Sequence, residues 1–410
     1  VPDTTTATPS PVPPPTSSES SDSSQSSTTP DPTPSFAGSR VTADTKAPRL
    51  DPRESRASVT LLGTRASRIA ALATVVAAVA VLASGHEQLL SVLNFGLIAA
   101  VAAIGLNLAM GTTGIMSLGH AVFVGFGAFT AAVLGDHGVP FPVAAVVAMV
   151  VASLASLTIG PLALRLSGLY LAVGTIGIAY VGEHLFVNLR SLTGGGAGRI
   201  VESPTIFGIE MSQSSALAGR LVTSDMKWFV VLLVVVTAVG VCVATLLRLR
   251  WGRALAAIRD NESSAAAAGI AVTRARVTAF ALSAALGGLS GALLAGYLRF
   301  LNPESFGLEQ SIQFLAMVII GGLGSVSGAA IGAIVITALP TILSELSSSL
   351  GLVEEASGTS STFNTGTLAL VAYGLVIVLV MALAPRGIAG GLGRLGPLLG
   401  RRPRRTSAPS

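Results

Sequence analysis

The sequence predicts an all-α protein that crosses a membrane about 8–10 times at roughly 20 residues per helical crossing, preceded by a disordered tail. Three observations carry that prediction. The 410 residues are 51% hydrophobic and only 11% charged, whereas a soluble domain carries about 25% charged residues. Mean hydropathy is +0.73. Apolar runs recur along the chain, and the arginines gather in short clusters beside them. Gly and Ala are abundant and aromatics make up 5%, which suits helices that approach closely in lipid.

Residues 1–60 are of another kind. "TTTATPSPVPPPTSSESSDSSQSSTTPDPTPS" has almost no large apolar side chain, so it cannot bury enough surface to offset the entropy of ordering and reads as a disordered tail. It contains no early apolar stretch of the signal-peptide kind. From 61 to 390 the chain reads as the membrane domain, and 391–410 as a basic tail.

Within the membrane domain the runs fall near 69–84, 89–110, 114–134, 141–160, 168–189, 228–248, 277–300, 309–320, 325–342 and 366–384. Arginine placement orients them. Arg53, Arg56, Arg65 and Arg68 precede the first run. Arg165 follows the fourth. Arg248, Arg250, Arg253, Arg259, Arg274 and Arg276 lie between the sixth and seventh. Arg386, Arg394, Arg401, Arg402, Arg404 and Arg405 follow the last. All four places fall on one side if the chain crosses as described, so both termini are expected in the cytoplasm. The segment 343–365 is acidic and lacks Lys and Arg, which places it outside and requires 309–342 to enter and return. The turn would be "GGLGSVSG" at 321–328, where clustered Gly can break a helix. The loop 190–227 fits less well, carrying Arg190, Arg199, Arg220 and Lys227 on the outer side.

The formal charge of +5 and a pI near 10 would suit a nucleic-acid partner, but clusters flanking apolar runs are a topology signal, and no nucleic-acid partner is expected. Cys242 is the single cysteine, which excludes an internal disulfide or a cysteine metal site. The only lysines are Lys46 and Lys227, and neither sits in the G-x-x-x-x-G-K-[ST] pattern of a phosphate-binding loop. No Gly-x-Ser-x-Gly elbow, HExxH or paired carboxylates in one run appear, so no catalytic residue is assigned, no metal site is expected and the chain is not read as an enzyme.

One loop stands out. "RWGRALAAIRDNESSAAAAGIAV", 250–272, is polar and helix-prone between two long apolar runs. Gly252 precedes a run at 253–259. Asp260 or Asn261 can cap a second run at 262–268, and Gly269 can end it in the left-handed conformation. Leu255, Ile258, Ala265, Ala266 and Ile270 offer an apolar side, and Arg253, Arg259 and Glu262 offer charge. A plain topogenic loop needs none of these devices in order, whereas a docking surface for a soluble partner does.

These residues carry a resemblance. "GLNLAMGTTGIMSLGHAVFVGFGAFTAAVL" (105–134), "LTGGGAG" (192–198), "GRALAAIRDNESSAAAAGIAVTRARVTAFALSAALGGLSGALLA" (252–295) and "FLAMVIIGGLGSVSGAAIGAIVITALP" (314–340) are together similar, in order, to the LivM-type permeases of branched-chain amino acid ABC importers. The long Pro/Ser/Thr tail departs from that pattern. The resemblance implies an ABC importer permease fold in a bacterial plasma (inner) membrane, with the 250–276 loop resting on a cytoplasmic ATPase. Arg253, Leu255, Ile258, Arg259, Glu262, Ala266 and Gly269 are the residues it would use for coupling. It implies a second, related permease subunit, two ABC ATPase subunits and an extracytoplasmic substrate-binding protein. This chain would bind no cofactor, ATP and Mg being used by the partner subunits. The solute would be Leu, Ile or Val, with urea, short amides or another amino acid as alternatives on the same fold. An ion-driven secondary transporter would want acidic residues in mid-span, while Glu183 and Glu309 sit near span ends.

Polar groups at membrane depth face a cavity or a partner helix. Asn107, Thr113, Ser117 and His120 surround one glycine interruption at 111–114. Gln313, Gly322 and Gly324 surround the other at 321–324. Interrupted helices point to a transport path, and these seven residues are its candidates. The alternative for Asn107 and Ser117 is interhelical hydrogen bonding. The repeats Gly287/Gly291, Gly324/Gly328 and Gly328/Gly332 are read as helix contacts.

Overall fold

The computed structural model describes residues 81–82, 85–163, 169–206, 208–217, 220–349, 374–375 and 378. Both tails, and the runs at 69–84 and 366–384 save a few positions, lie outside the described residues. Eleven helices are described: α1 (Glu87–Thr113), α2 (His120–Asp136), α3 (Phe141–Ala163), α4 (Leu169–Asn188), the single-turn α5 (Arg190–Thr193), α6 (Ser224–Arg248), α7 (Arg250–Asp260), α8 (Glu262–Ala267), α9 (Val272–Leu298), α10 (Leu308–Gly321) and α11 (Val326–Ser349). Six of them are long and apolar enough to cross a membrane, and α2 and α10 are shorter apolar helices.

The core forms where α1 and α9 are packed on most sides. Their apolar stretches are 67% and 72% buried, against 17% for α6. Val230, Val234 and Val241 of α6 face outward, as does Cys242, which is the arrangement lipid contact allows. Small residues bring the central helices together. A Cβ at Gly127 would overlap the Gly288 backbone, one at Gly291 would overlap the Val124 carbonyl, and one at Gly288 would stand 2.6 Å from the Ala148 oxygen. A backbone group cannot swing aside as a side chain can, so α2, α3 and α9 meet at these positions only because nothing projects from them. Ser290 donates to the Ile98 carbonyl at 2.8 Å, tying α9 to α1. Of the glycine repeats expected as helix contacts, Gly287/Gly291 and Gly328/Gly332 are such contacts, Gly332 abutting Met317 and Gly321 and Gly328 abutting Gly321, whereas Gly324 lies in the turn between α10 and α11 at φ +85.

Two ends can be told apart. At one, three short two-stranded sheets lie in or beside the 190–223 loop. One of them joins that loop to the segment after α9, pairing Arg199 with Leu301 and Ile200 with Phe300. Here Arg199 is paired with Asp136, at the end of α2, so one arginine that fitted the charge pattern poorly is committed to a local carboxylate. Asp225 accepts from the Tyr297 hydroxyl at 2.9 Å and its carbonyl accepts from Asn94 at 3.1 Å, which joins α6, α9 and α1. The opposite, arginine-rich end carries α7, α8, the end of α1 and the α10–α11 turn.

Two boundaries differ from the sequence expectation. The run at 114–134 is helical only from His120. Gly114 closes α1 in the left-handed conformation, its N–H donating to the Met110 carbonyl. Residues 114–119 then climb back along the bundle without helical bonding. His120 Nε2 donates to the Ala102 carbonyl at 3.1 Å. Ala102 is eleven residues before the end of α1, about 16 Å along a helix axis. Non-helical backbone at that depth has to be held by protein, and the Leu118 N–H is taken by the Thr175 hydroxyl at 3.0 Å. Gly252 does not precede its helix but lies inside α7, where a Cβ would overlap the Leu247 backbone. Its bare backbone lets α7 fold back sharply on the end of α6. The expected break in 309–342 is present, with α10 and α11 separated at 322–325 and Gly322 and Gly324 both at positive φ.

Candidate functional site

The site is built on the 250–269 helix pair. Asn261 is the cap between the helices: its side chain accepts the Ser264 N–H at 2.9 Å, which satisfies one of the donors a helix start leaves free. Gly269 ends the pair at φ +82, and its N–H donates to the Ala266 carbonyl at 2.9 Å. The pair is amphipathic. Leu255 and Ile258 are almost wholly buried and cluster with Ala265 and with Ala279 of α9. They seat the pair on the membrane domain, so the outward surface expected of them belongs to their neighbours. Arg253, Glu262, Ala266 and Gly269 lie on the exposed side. Glu262 forms a bidentate pair with Arg276, both bonds 2.8 Å, which braces α8 against the first turns of α9. From the sequence Glu262 is a charge for a partner, and the internal partner Arg276 is visible only in the fold.

Arg259 behaves differently. Although the residue is mostly exposed, one guanidinium nitrogen reaches inward and donates to the Gly111 carbonyl at the end of α1. One turn earlier in α1, Asn107 clasps the α10–α11 turn from both sides of its amide. Its Oδ1 accepts the Gly324 N–H at 2.8 Å and its Nδ2 donates to the Ser325 carbonyl at 3.0 Å. The two glycine interruptions therefore meet: a Cβ at Gly111 would stand 2.6 Å from the Gly324 nitrogen. Asn107, Gly322 and Gly324 come together at this joint, whereas the other candidates for a path do not join them. Thr113 returns its hydroxyl to the Ala109 carbonyl at 2.7 Å. His120 is enclosed by the edges of Phe123 and Phe314. Ser117 is buried on the extended segment, its hydroxyl without a partner. Gln313 is half-buried on α10. At the other end Glu183 stands against Gly307, at the start of α10, and Gln310 has a buried, unpaired oxygen.

Among the described residues no group of three or more His, Cys, Asp or Glu could hold a metal ion. An apolar cavity of about 330 Å³, lined by Phe126, Phe129, Leu185 and Phe186 among others, lies toward the strand end.

An apolar bundle with six helices long and apolar enough to cross a membrane, and a polar helix pair seated on one end, has the build of a multi-pass membrane protein. Residues 88–383 match the family of the branched-chain amino acid transport system permease component, and the chain belongs to that family. It is 36% identical over 237 residues to the high-affinity branched-chain amino acid transport permease LivM of Salmonella typhimurium, and 35% identical to that of Escherichia coli, in each case covering 54% of this chain and 56% of the relative. The chain thus spans little more than half the length of these relatives. It is 29% identical over 298 residues to the autoinducer 2 import permease LsrC of Enterobacter, covering 69% of this chain and 80% of that one. No solved structure gives a significant match.

Proposed function

We propose that the chain is a membrane-spanning permease subunit of an ATP-driven ABC importer for branched-chain amino acids in the bacterial inner membrane. The observation that carries this reading is the 250–269 helix pair. It is capped, terminated and seated on the bundle by Leu255 and Ile258, with Arg253, Glu262 and Ala266 turned outward. A rigid pair passes on a rigid-body push, and a slack loop does not. Family membership supports the transport role, and the LivM relatives at 35–36% identity favour branched-chain amino acids over other solutes. A second reading keeps the fold and changes the solute, since LsrC, an autoinducer 2 import permease, is also related.

In this reading the arginine-rich end and both termini are cytoplasmic. Two ATPase subunits bind ATP and Mg and supply the energy, this chain contributing no catalytic residue. A related permease completes the membrane unit, and an external binding protein delivers the solute by alternating access. The test is reconstitution of the chain with its neighbouring ATPase, permease and binding-protein gene products. Leucine, isoleucine or valine should bind the binding protein in calorimetry and raise ATP hydrolysis by the complex. Binding of urea, a short amide or another solute but not leucine would select the second reading, and purification of the chain without any ATPase would contradict both.

A further inference from the structure

The helix pair is joined to the membrane domain in two chemically different ways. Its connection to α9 is broad: the Leu255–Ile258–Ala265–Ala279 cluster and the Glu262–Arg276 brace. Its connection to α1 includes a single directional hydrogen bond between residues 148 positions apart, from Arg259 to the Gly111 carbonyl. The last four carbonyls of a helix have no partner within it, and Gly111 is among them in α1. A guanidinium there also meets the negative end of the helix dipole, so this carbonyl is a strong place for a cation to hold.

What Arg259 grips is more than the end of one helix. Asn107, one turn back, holds Gly324 and Ser325 by two hydrogen bonds. A Cβ at Gly324 would lie 3.5 Å from the same Arg259 nitrogen, and one at Gly111 would lie 2.7 Å from Asn107 Oδ1. Higher up, a Cβ at Gly96 would stand 3.1 Å from Ile334 Cα, so α1 and α11 are in contact along their length. A displacement of the end of α1 must carry the α10–α11 turn with it.

We propose that Arg259 is the positioning residue through which movement of the helix pair is delivered to α1 and, by way of Asn107, to the α10–α11 turn. The proposal rests on the reading of 250–269 as the surface an ATPase meets. It gives the inner face of that surface a separate duty: the outward residues take up the push, and Arg259 converts it into a shift of α1 against α9.

The experiment reads two quantities in the same proteoliposomes, ATP hydrolysed and solute taken up, using the full complex. Arg259→Ala is expected to lower solute moved per ATP by about tenfold, within the usual range of coupling between sites, while the ATPase subunits still copurify. Arg259→Lys keeps a cationic donor for one carbonyl and should restore the ratio. Gly111→Ala, which pushes the turn away with Arg259 intact, should reproduce the loss. Unchanged ratios in Arg259→Ala and Gly111→Ala would overturn the proposal. So would loss of the ATPase subunits from Arg259→Ala, because Arg259 would then belong to the docking surface. A wild-type complex in which hydrolysis and uptake are unlinked would instead overturn the reading beneath it.

Discussion

Glu262→Arg and Gly269→Pro should each leave a chain that inserts in the membrane but no longer stimulates ATP hydrolysis when solute is supplied. The reason in both cases is the shape of the helix pair. Glu262 holds Arg276 through two parallel bonds. An arginine in its place sets two guanidinium groups against each other and releases the front of α8 from α9. As an exposed pair this bridge is worth only about 0.5 kcal/mol of stability, so the chain survives its loss. Rigidity suffers more, because the bridge is the polar fastening of a six-residue helix. Gly269 sits at φ +82, where proline, fixed near φ −65°, cannot go, and proline also removes the N–H that bonds Ala266. Gly269→Ala is the graded control. A Cβ there meets nothing within 4 Å, so the cost is the left-handed backbone alone, about 1–2 kcal/mol, and partial stimulation should remain. ATPase assays of the assembled complex with and without loaded binding protein check the series, and a fluorescent C-terminal fusion checks insertion.

Gly291→Leu should yield almost no stably folded protein. A Cβ at this position overlaps the Val124 carbonyl and stands 2.7 Å from the Ala128 nitrogen, both backbone atoms of α2. The neighbouring crossing of Gly127 and Gly288 would open as well, so the helices must separate along their contact. Overpacking a core costs about 1–3 kcal/mol when side chains can adjust, and here only helix movement can relieve it. Gly135→Ala, on the same α2 but with nothing within 4 Å of its Cβ, should be neutral or stabilising by about 0.5–1 kcal/mol. Thermal unfolding of both variants in detergent, followed by size-exclusion recovery, distinguishes them.

What the sequence made legible was local. Asn261 and Gly269 were readable as cap and terminator because each acts within a few residues of itself, and the break at 321–324 followed from clustered glycine. The glycine repeat of α9 was readable as a contact, although nothing in "VFVGFGAF" marks the Val124 and Ala128 backbone as what Gly291 meets. Long-range partners were not legible. Arg259 reads as an exposed charge until the end of α1 is seen beside it, 148 residues away in sequence. Glu262 reads as a charge offered outward because Arg276, fourteen residues on, is reached only after α8 turns back to α9. Leu255 and Ile258 have the same periodicity whether they face a partner or their own bundle. The run at 114–134 misled for a related reason. Its hydropathy fits a continuous span, but Gly114 closes α1 and Thr175 of α4 holds the backbone that follows, and tertiary contacts of that kind leave no mark in a hydropathy pattern.

The most direct test of the account places a cysteine at Ala266, on the outward side of α8, in a Cys242→Ser background, and cross-links the assembled complex in native membranes. A product joining this chain to an ATPase subunit is expected, with labelling by a membrane-impermeant thiol reagent from the cytoplasmic side alone. Products with lipid only, or labelling from the opposite side in intact cells, would contradict it.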